Sequence, residues 1–305
     1  MKKRIHLLIV IGVLLVGFIL GSLFDLQING TIFSKNNVFG LLMASFGVYP
    51  CYMGLAFIGG GLLSTTLKRK ELPLWGKILC YFLSGLSLGI AVYLGGREWP
   101  SVNGYNVPQF KFLSYAIAAV IFASVYLLSF FICKRGDQKQ LWRALLIMAV
   151  IFAAALLPAG FIIKLIIHRP RYRYVVRTGM VGFKNWWEPF AEYKNFIGGE
   201  IEGFPITKEE FKSFPSGHSS TGMIMAMFLT YASIFFPKLK GKETLMFYIG
   251  VAFGLLMMFS RLLVGAHYLT DTCMGSLIVM IVFCIINEFA LRKRLLEPTI
   301  ENEQS

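Results

Sequence analysis

Eight apolar stretches, each long enough to cross a bilayer, dominate this chain: Ile5–Phe24, Phe39–Leu63, Trp75–Leu94, Phe112–Cys133, Leu141–Ile163, Ser219–Phe236, Leu245–Leu263 and Thr272–Leu291. A spanning helix needs about 20 mostly apolar residues. Within lipid every backbone polar group must find its partner inside the protein, which leaves helices or closed barrels. The expected fold is therefore all-α, a polytopic membrane helical bundle of about eight transmembrane helices. Charged residues make up only 15% of the sequence, against about 25% in ordinary soluble domains. Cys51, Cys80, Cys133, Cys273 and Cys284 lie in or at the ends of apolar runs, without metal-ligand spacing. They read as small buried side chains.

The formal net charge of +14 invites a nucleic-acid reading, but the distribution of the cations argues otherwise. With the N-terminus inside, the cytoplasmic segments hold Lys2, Lys3 and Arg4; Lys68, Arg69, Lys70 and Lys77; Lys134, Arg135, Lys139 and Arg143; Lys238, Lys240 and Lys242; and Arg292, Lys293 and Arg294. The two short outer loops hold only Lys35, Arg97 and Lys111. Positive residues favour the cytoplasmic side, so both termini are expected inside a plasma or bacterial inner membrane, and no nucleic-acid partner is needed. The first apolar run follows Lys2-Lys3-Arg4 as a signal peptide would, yet no small-residue cleavage site comes before Phe24-Asp25; it is expected to stay as a helix.

Three polar motifs then fall on the outer side: Lys164 to Arg171, Pro215-Ser216-Gly217-His218, and Ser260-Arg261 with His267 and Asp271. The longest loop, about 169–215, is rich in aromatic residues, among them Phe183, Trp186, Trp187, Phe190, Tyr193 and Phe196. Trp and Tyr favour the membrane interface, so a lid or interfacial helix is expected. Thr207-Lys208-Glu209-Glu210 reads as a capping box. The organisation expected is N-terminal transmembrane helices over 1–140, a catalytic membrane core over 141–294 containing the outer loop, and a cytoplasmic tail over 295–305.

Each motif has a chemical reading. His267 and Asp271 are four apart, one helix face, so the carboxylate is expected to hold one imidazole nitrogen and free the other to attack phosphorus. Pro215 to His218 opens the sixth apolar run, where helix N–H groups lack partners and attract anions. Gly217 permits close backbone approach. Ser216 donates to phosphate or caps the helix, and His218 is placed as general acid. Lys164 and Arg171, seven apart, align on a continued helix. Arg171 is therefore preferred to Arg169 as phosphate ligand, with Arg169 and Tyr172 secondary. Phosphoryl transfer needs charge stabilisation. Lys164, Arg171 and Arg261 supply it, so no metal and no cofactor are expected.

These motifs resemble those of the type-2 phosphatidic acid phosphatase (lipid phosphate phosphatase) superfamily, whose pattern is K-x6-RP, PSGH and SR-x5-H-x3-D. The departure is Tyr172 in place of proline, with Arg169-Pro170 two residues earlier. The resemblance implies a six-helix phosphatase core, to which this chain adds an N-terminal helix pair. It implies His267 as nucleophile, Asp271 as its orienting partner, His218 as acid and then base, and Lys164, Arg171, Ser216, Gly217 and Arg261 around the phosphate. The expected partners are an anionic phospholipid or isoprenoid phosphate substrate and the surrounding membrane lipids. Undecaprenyl diphosphate, phosphatidylglycerophosphate, phosphatidate and lysophosphatidate are candidates. A phosphotransferase using the same phosphohistidine, or a non-enzymatic lipid-binding protein, are the alternatives.

Overall fold

The computed structural model describes residues 4–98, 111–179, 182–201 and 204–296. Lys2, Lys3 and the polar tail beyond 296 lie outside them. Among the described residues, seven helical spans are long and apolar enough to cross a membrane. They are α1 (Arg4–Ile32), α2 and α3 together (Val38–Phe46 and Tyr49–Lys68), α4 (Leu74–Glu98), α5 (Lys111–Ile132), α6 (Gln138–Leu157), and, further along the chain, Glu243–Leu263 and Leu269–Arg292. After α6 comes a π-helical turn, Pro158–Ile162, then α7 (Lys164–Ile167) and α8 (Tyr172–Thr178). The sixth predicted run is also helical but interrupted at Ile224, giving α9 (Gly217–Met223) and α10 (Met225–Phe235). The final two spans are α11 and α12. The fold is the helical bundle expected, with one predicted crossing broken in two.

One continuous apolar core runs through the bundle. Helix α3 lies against α4, α5 and α6, while α10 and α9 pack on α11, and α9 also on α12. Helix α1 runs along α12. Gly17 and Gly21 permit that approach: a Cβ on Gly17 would stand 2.9 Å from Cys273 Sγ, and one on Gly21 would stand 2.8 Å from the Thr270 nitrogen. Small residues four apart let membrane helices come together closely. The N-terminal helices are thus built into the bundle rather than appended to it.

The described residues of the aromatic loop pack around a small core of their own, Tyr174, Phe190, Tyr193, Ile206 and Phe211. It contains α8, two 3-10 turns (Ala191–Phe196 and Lys208–Phe211) and a hairpin of two-residue strands, β1 (Glu200–Ile201) and β2 (Phe204–Pro205), paired antiparallel. Only half the predicted capping box forms: Thr207 Oγ1 accepts from the Glu209 nitrogen, whereas Glu210 turns away to pair with Arg173 at 2.7 Å. Trp186 anchors the loop to α1, donating Nε1–H to Ser22 Oγ at 3.0 Å and stacking on Phe214.

Helix alternation gathers the three motifs at one end of the bundle. That end carries the C-terminal ends of α1, α4, α7 and α11 and the N-terminal ends of α2, α9 and α12. Lys68 to Lys70, Lys134 and Arg135, Lys238 to Lys242 and Arg292 cluster at the opposite end.

Candidate active site

The first motif does not continue as a helix from Lys164 to Arg171. Helix α7 stops at Ile167, and His168 adopts a left-handed conformation (φ 49°) as its C-cap. That conformation costs an ordinary residue about 1–2 kcal/mol, and here the imidazole stacks on Tyr193 with centroids 3.9 Å apart. Pro170 disfavours helix at the residue before it, and Arg171 becomes the extended N-cap of α8. The shared helix phase that favoured Arg171 is therefore absent; the turn instead separates Arg169 and Arg171 by sending them in different directions.

Arg169 goes inward and is almost wholly buried. Its Nη1 donates to Asp271 Oδ1 at 2.6 Å and to Thr270 Oγ1 at 2.8 Å, its Nη2 to Asp25 Oδ2 at 2.9 Å, and its Nε to the Lys184 carbonyl at 2.8 Å. Four of the five guanidinium N–H groups are thereby used, and the group lies 3.9 Å over the Tyr268 ring. Arg169 is a clamp on the scaffold, which corrects its assignment as a secondary phosphate ligand. Tyr172 is corrected likewise: its buried ring is wedged edge-on between Phe33 and Tyr268. Arg171 is held by backbone, donating Nε–H to Glu209 O at 2.8 Å and Nη1–H to Ala266 O at 3.3 Å. Burial and the neighbouring Arg171 guanidinium push the Lys164 ammonium down to about 8. Lys164 Nζ also lies 3.5 Å from where a Gly217 side chain would begin, joining the first motif to the second.

Ser216 takes the capping role of the two open to it. Its hydroxyl accepts from the Ser219 nitrogen at 3.2 Å and from Ser219 Oγ at 2.9 Å. Its own nitrogen donates to the Asp271 carbonyl at 2.9 Å, and Ser220 Oγ bonds the Gly275 carbonyl at 2.8 Å. A Cβ on Gly275 would stand 2.3 Å from the Ser216 carbonyl oxygen, so only glycine lets α12 come this near the start of α9.

His267 departs from the expectation in its partner. It precedes α12, which begins at Leu269, so the one-face argument does not reach it. Its Nδ1 donates to the Ser213 carbonyl at 2.7 Å, while Asp271 Oδ2 is 3.8 Å away, beyond hydrogen-bond distance. Asp271 instead accepts from Ser213 Oγ at 2.5 Å, from the Tyr268 nitrogen at 2.8 Å and from Arg169. The carboxylate therefore fixes the imidazole through Ser213. The tautomer is nonetheless set: Nδ1 carries the proton and Nε2 keeps its lone pair. Burial, with Arg171 and Lys164 nearby, outweighs the Asp271 carboxylate and holds His267 down to about 3, so the ring is neutral at physiological pH. Ser213 was missed in the sequence because a backbone carbonyl has no residue signature.

Residues 142–294 match the family model described as the PAP2 superfamily. The chain belongs to the PAP2 superfamily. No curated protein and no solved structure matches it. PAP2 proteins are generally phosphatases, so hydrolysis of phosphate esters is the activity class that comes with membership, and the helices make this a multi-pass membrane member.

The PAP2 match begins within α6, yet helices before it reach the same site. Asp25, just past a kink in α1 at Phe24, accepts from Arg169, from the Thr270 nitrogen at 3.1 Å and from Thr270 Oγ1. Asn29 Nδ2 donates to the His267 carbonyl at 3.0 Å. Arg261, buried at the end of α11, donates Nη2–H to the Gly40 carbonyl at 2.6 Å and Nε–H to Ser260 Oγ at 3.2 Å. Glu98, the last residue of α4, brings Oε2 to 3.8 Å from His218 Nε2. Asp25 and Asn29 had a readable signal, polar side chains in an otherwise apolar helix; Glu98 sits beside Arg97 at a helix end and had none. Among the described residues no group of three or more His, Cys, Asp or Glu side chains converges as a set of metal ligands.

Proposed function

We infer that this protein is a metal-independent phosphatase acting on a lipid phosphate or diphosphate at the outer membrane–water interface, through a phosphohistidine at His267. The observation that carries the reading is the neutral imidazole with Nδ1 donating to Ser213 O. Its free Nε2 is the atom able to attack phosphorus. Lys164, Arg171 and Arg261 supply the positive charge that a transferring phosphoryl group requires, with Gly217 leaving room for its approach. His218 gives the leaving oxygen a proton and later takes one from water. Asp271 acts through Ser213 and Arg169, as an anchor for the loop that carries His267.

The lipid part of the reading rests on location. The candidate site lies at one end of a bundle of membrane helices, opposite the Lys/Arg clusters. The positive-inside rule supports an outward orientation for that end. The aromatic loop pinned by Trp186, with Trp187 exposed, suits a substrate with an apolar tail and an anionic head. Undecaprenyl diphosphate, phosphatidylglycerophosphate and phosphatidate are the substrate classes to test.

The test is phosphate release from a panel of these lipids by detergent-purified protein in EDTA, comparing wild type with His267→Ala. Loss of a covalent nucleophile is expected to lower kcat by about 10⁴–10⁶-fold. Equal release by both proteins would remove His267 from the reaction, and transfer of phosphate to a second lipid instead of water would make the protein a phosphotransferase.

A further inference from the structure

His218 must begin the first step protonated if it is to act as a general acid. Its surroundings oppose that: partial burial, then the charges of Arg261 on α11, His267, and Arg171 and Lys164 from the first motif, all disfavour a protonated His218. Cations disfavour a second cation nearby. Something must hold the proton on, and no residue of the three motifs supplies a carboxylate to His218. Asp271 is committed to Arg169, Ser213 and Tyr268.

The carboxylate comes from α4. Glu98 Oε2 stands 3.8 Å from His218 Nε2, with both side chains mostly shielded from solvent. Glu98 is also under the electrostatic influence of Arg97, Arg261 and Lys164, and of the Glu209 carboxylate. We propose that Glu98 is a positioning residue for the acid–base histidine, its carboxylate holding His218 in the protonated form at the start of each turnover. At 3.8 Å it is too far to take the Nε2 proton into a hydrogen bond, which leaves that proton for the leaving oxygen while the negative charge stabilises imidazolium. Glu98 lies outside residues 142–294, so it is a contribution of the N-terminal helices to the chemistry. The inference rests on the phosphatase reading above.

The steps balance as follows. The Nε2 lone pair of His267 forms a bond to phosphorus. The bond from phosphorus to the ester oxygen breaks, its electron pair staying on that oxygen, which takes the proton from His218 and leaves as an alcohol. Water oxygen then bonds to phosphorus as the N–P bond breaks and its pair returns to Nε2. The proton lost by water restores His218, and inorganic phosphate departs. Glu98 stabilises the imidazolium present before the first step and after the second, and forms or breaks no covalent bond.

This assigns Glu98 to leaving-group protonation, which a merely structural residue would not favour over other steps. Wild type and Glu98→Gln are compared on dodecyl phosphate, whose alkoxide leaves poorly without a proton, and on 4-dodecyl-2-nitrophenyl phosphate, which has a similar tail but a leaving group that needs none. The expected result is a fall in kcat of about 10- to 100-fold on the alkyl ester and less than about threefold on the aryl ester, smaller than the roughly 10²–10⁴-fold that a general acid itself contributes, because His218 remains in place. The retained aryl activity also reports an intact fold. In a His218→Asn background, Glu98→Gln should cause no further loss on the alkyl ester, because the two residues act as one unit. Glu98→Asp, which keeps the charge, should return the alkyl-to-aryl ratio toward wild type even if the glutamine variant folds poorly. Equal losses on both esters, no loss on either, or a faster Glu98→Gln enzyme (a carboxylate that merely excludes phosphate) would each overturn the inference. A wild type inactive on both esters would instead refute the phosphatase reading itself.

Discussion

Replacing Arg169 by methionine is expected to destabilise the protein by about 3–5 kcal/mol, the range for removing one partner of a buried ion pair. The magnitude follows from what the arginine holds. Its Nη1 and Nη2 lie 2.6 and 2.9 Å from the carboxylates of Asp271 and Asp25, and all three side chains are essentially inaccessible to water. Methionine fills a similar volume but leaves two buried carboxylates facing each other without their cation. Asp25→Asn in the wild type is milder. Arg169 keeps Asp271 as its counter-ion, and the amide oxygen can still accept from the Thr270 nitrogen, so the expected cost is about 1–2 kcal/mol, that of weakened hydrogen bonds. The decisive experiment is the pair of changes together. In the Arg169→Met background, Asp25→Asn removes one of the two uncompensated charges, so it should raise stability there although it lowers it in wild type. Unfolding by SDS titration in mixed micelles, followed by tryptophan fluorescence, measures all four proteins. If Asp25→Asn is equally destabilising in both backgrounds, the charges are not coupled and the reading of Arg169 as an electrostatic clamp fails.

Two further outcomes follow from the geometry of the site. Lys164 has its free-state ammonium pushed down to about 8; the charged form exists below that value and is lost as pH rises through it. The phosphate affinity it contributes should fall in the same direction, so kcat/KM should decline above about pH 8, and Lys164→Arg, which stays charged, should lack that limb whatever its absolute rate; an unchanged limb would acquit Lys164. Gly275→Ala puts a Cβ where the Ser216 carbonyl stands, 2.3 Å away, and overpacking of this kind costs about 1–3 kcal/mol. Phosphate release should drop at least tenfold, on the order of one such increment in barrier height, while Gly12→Ala, with no neighbouring atom within 4 Å, should be silent; similar rates for both variants would show that the α9–α12 approach does not set the site.

The parts of the structure legible in the sequence are those governed by the bilayer. Apolar length located the helices, including the run that breaks at Ile224, and alternation alone brought Lys164, His218, Arg261 and His267 to one end. Failures began where one unusual backbone residue or one main-chain acceptor decides the geometry. His168 in the left-handed region ends α7 three residues after Lys164 and dissolves the seven-residue phase with Arg171. The start of α12 at Leu269 places His267 ahead of the helix, so a four-residue spacing that implies contact on a helix yields 3.8 Å here. Ser213 holds the imidazole by its carbonyl oxygen, which every residue type possesses. The contribution of α1 has a signal in the sequence: Gly17 and Gly21 form a small-residue pair four apart, and Asp25 is a carboxylate in a membrane helix, a functional signal by default.

The division between structural and reactive cations follows from the kind of oxygen each one meets. A guanidinium paired with carboxylates has its charge cancelled locally; one held by carbonyls or hydroxyls is fixed in place with its charge intact, because those acceptors are neutral. Arg169 meets Asp25 and Asp271, and Arg173 meets Glu210. Arg171 meets the Glu209 and Ala266 carbonyls, and Arg261 meets the Gly40 carbonyl and Ser260 hydroxyl. Two of the five basic residues from Lys164 to Arg173 and Arg261 are thus spent on the scaffold, and the uncancelled ones gather beside the neutral imidazole. An anion entering there meets charge that no internal carboxylate has already neutralised in full, while Glu98 approaches His218 to 3.8 Å. Sequence spacing could not sort Arg169 from Arg171, since both are arginines beside a proline at a membrane boundary; the identity of their acceptors does.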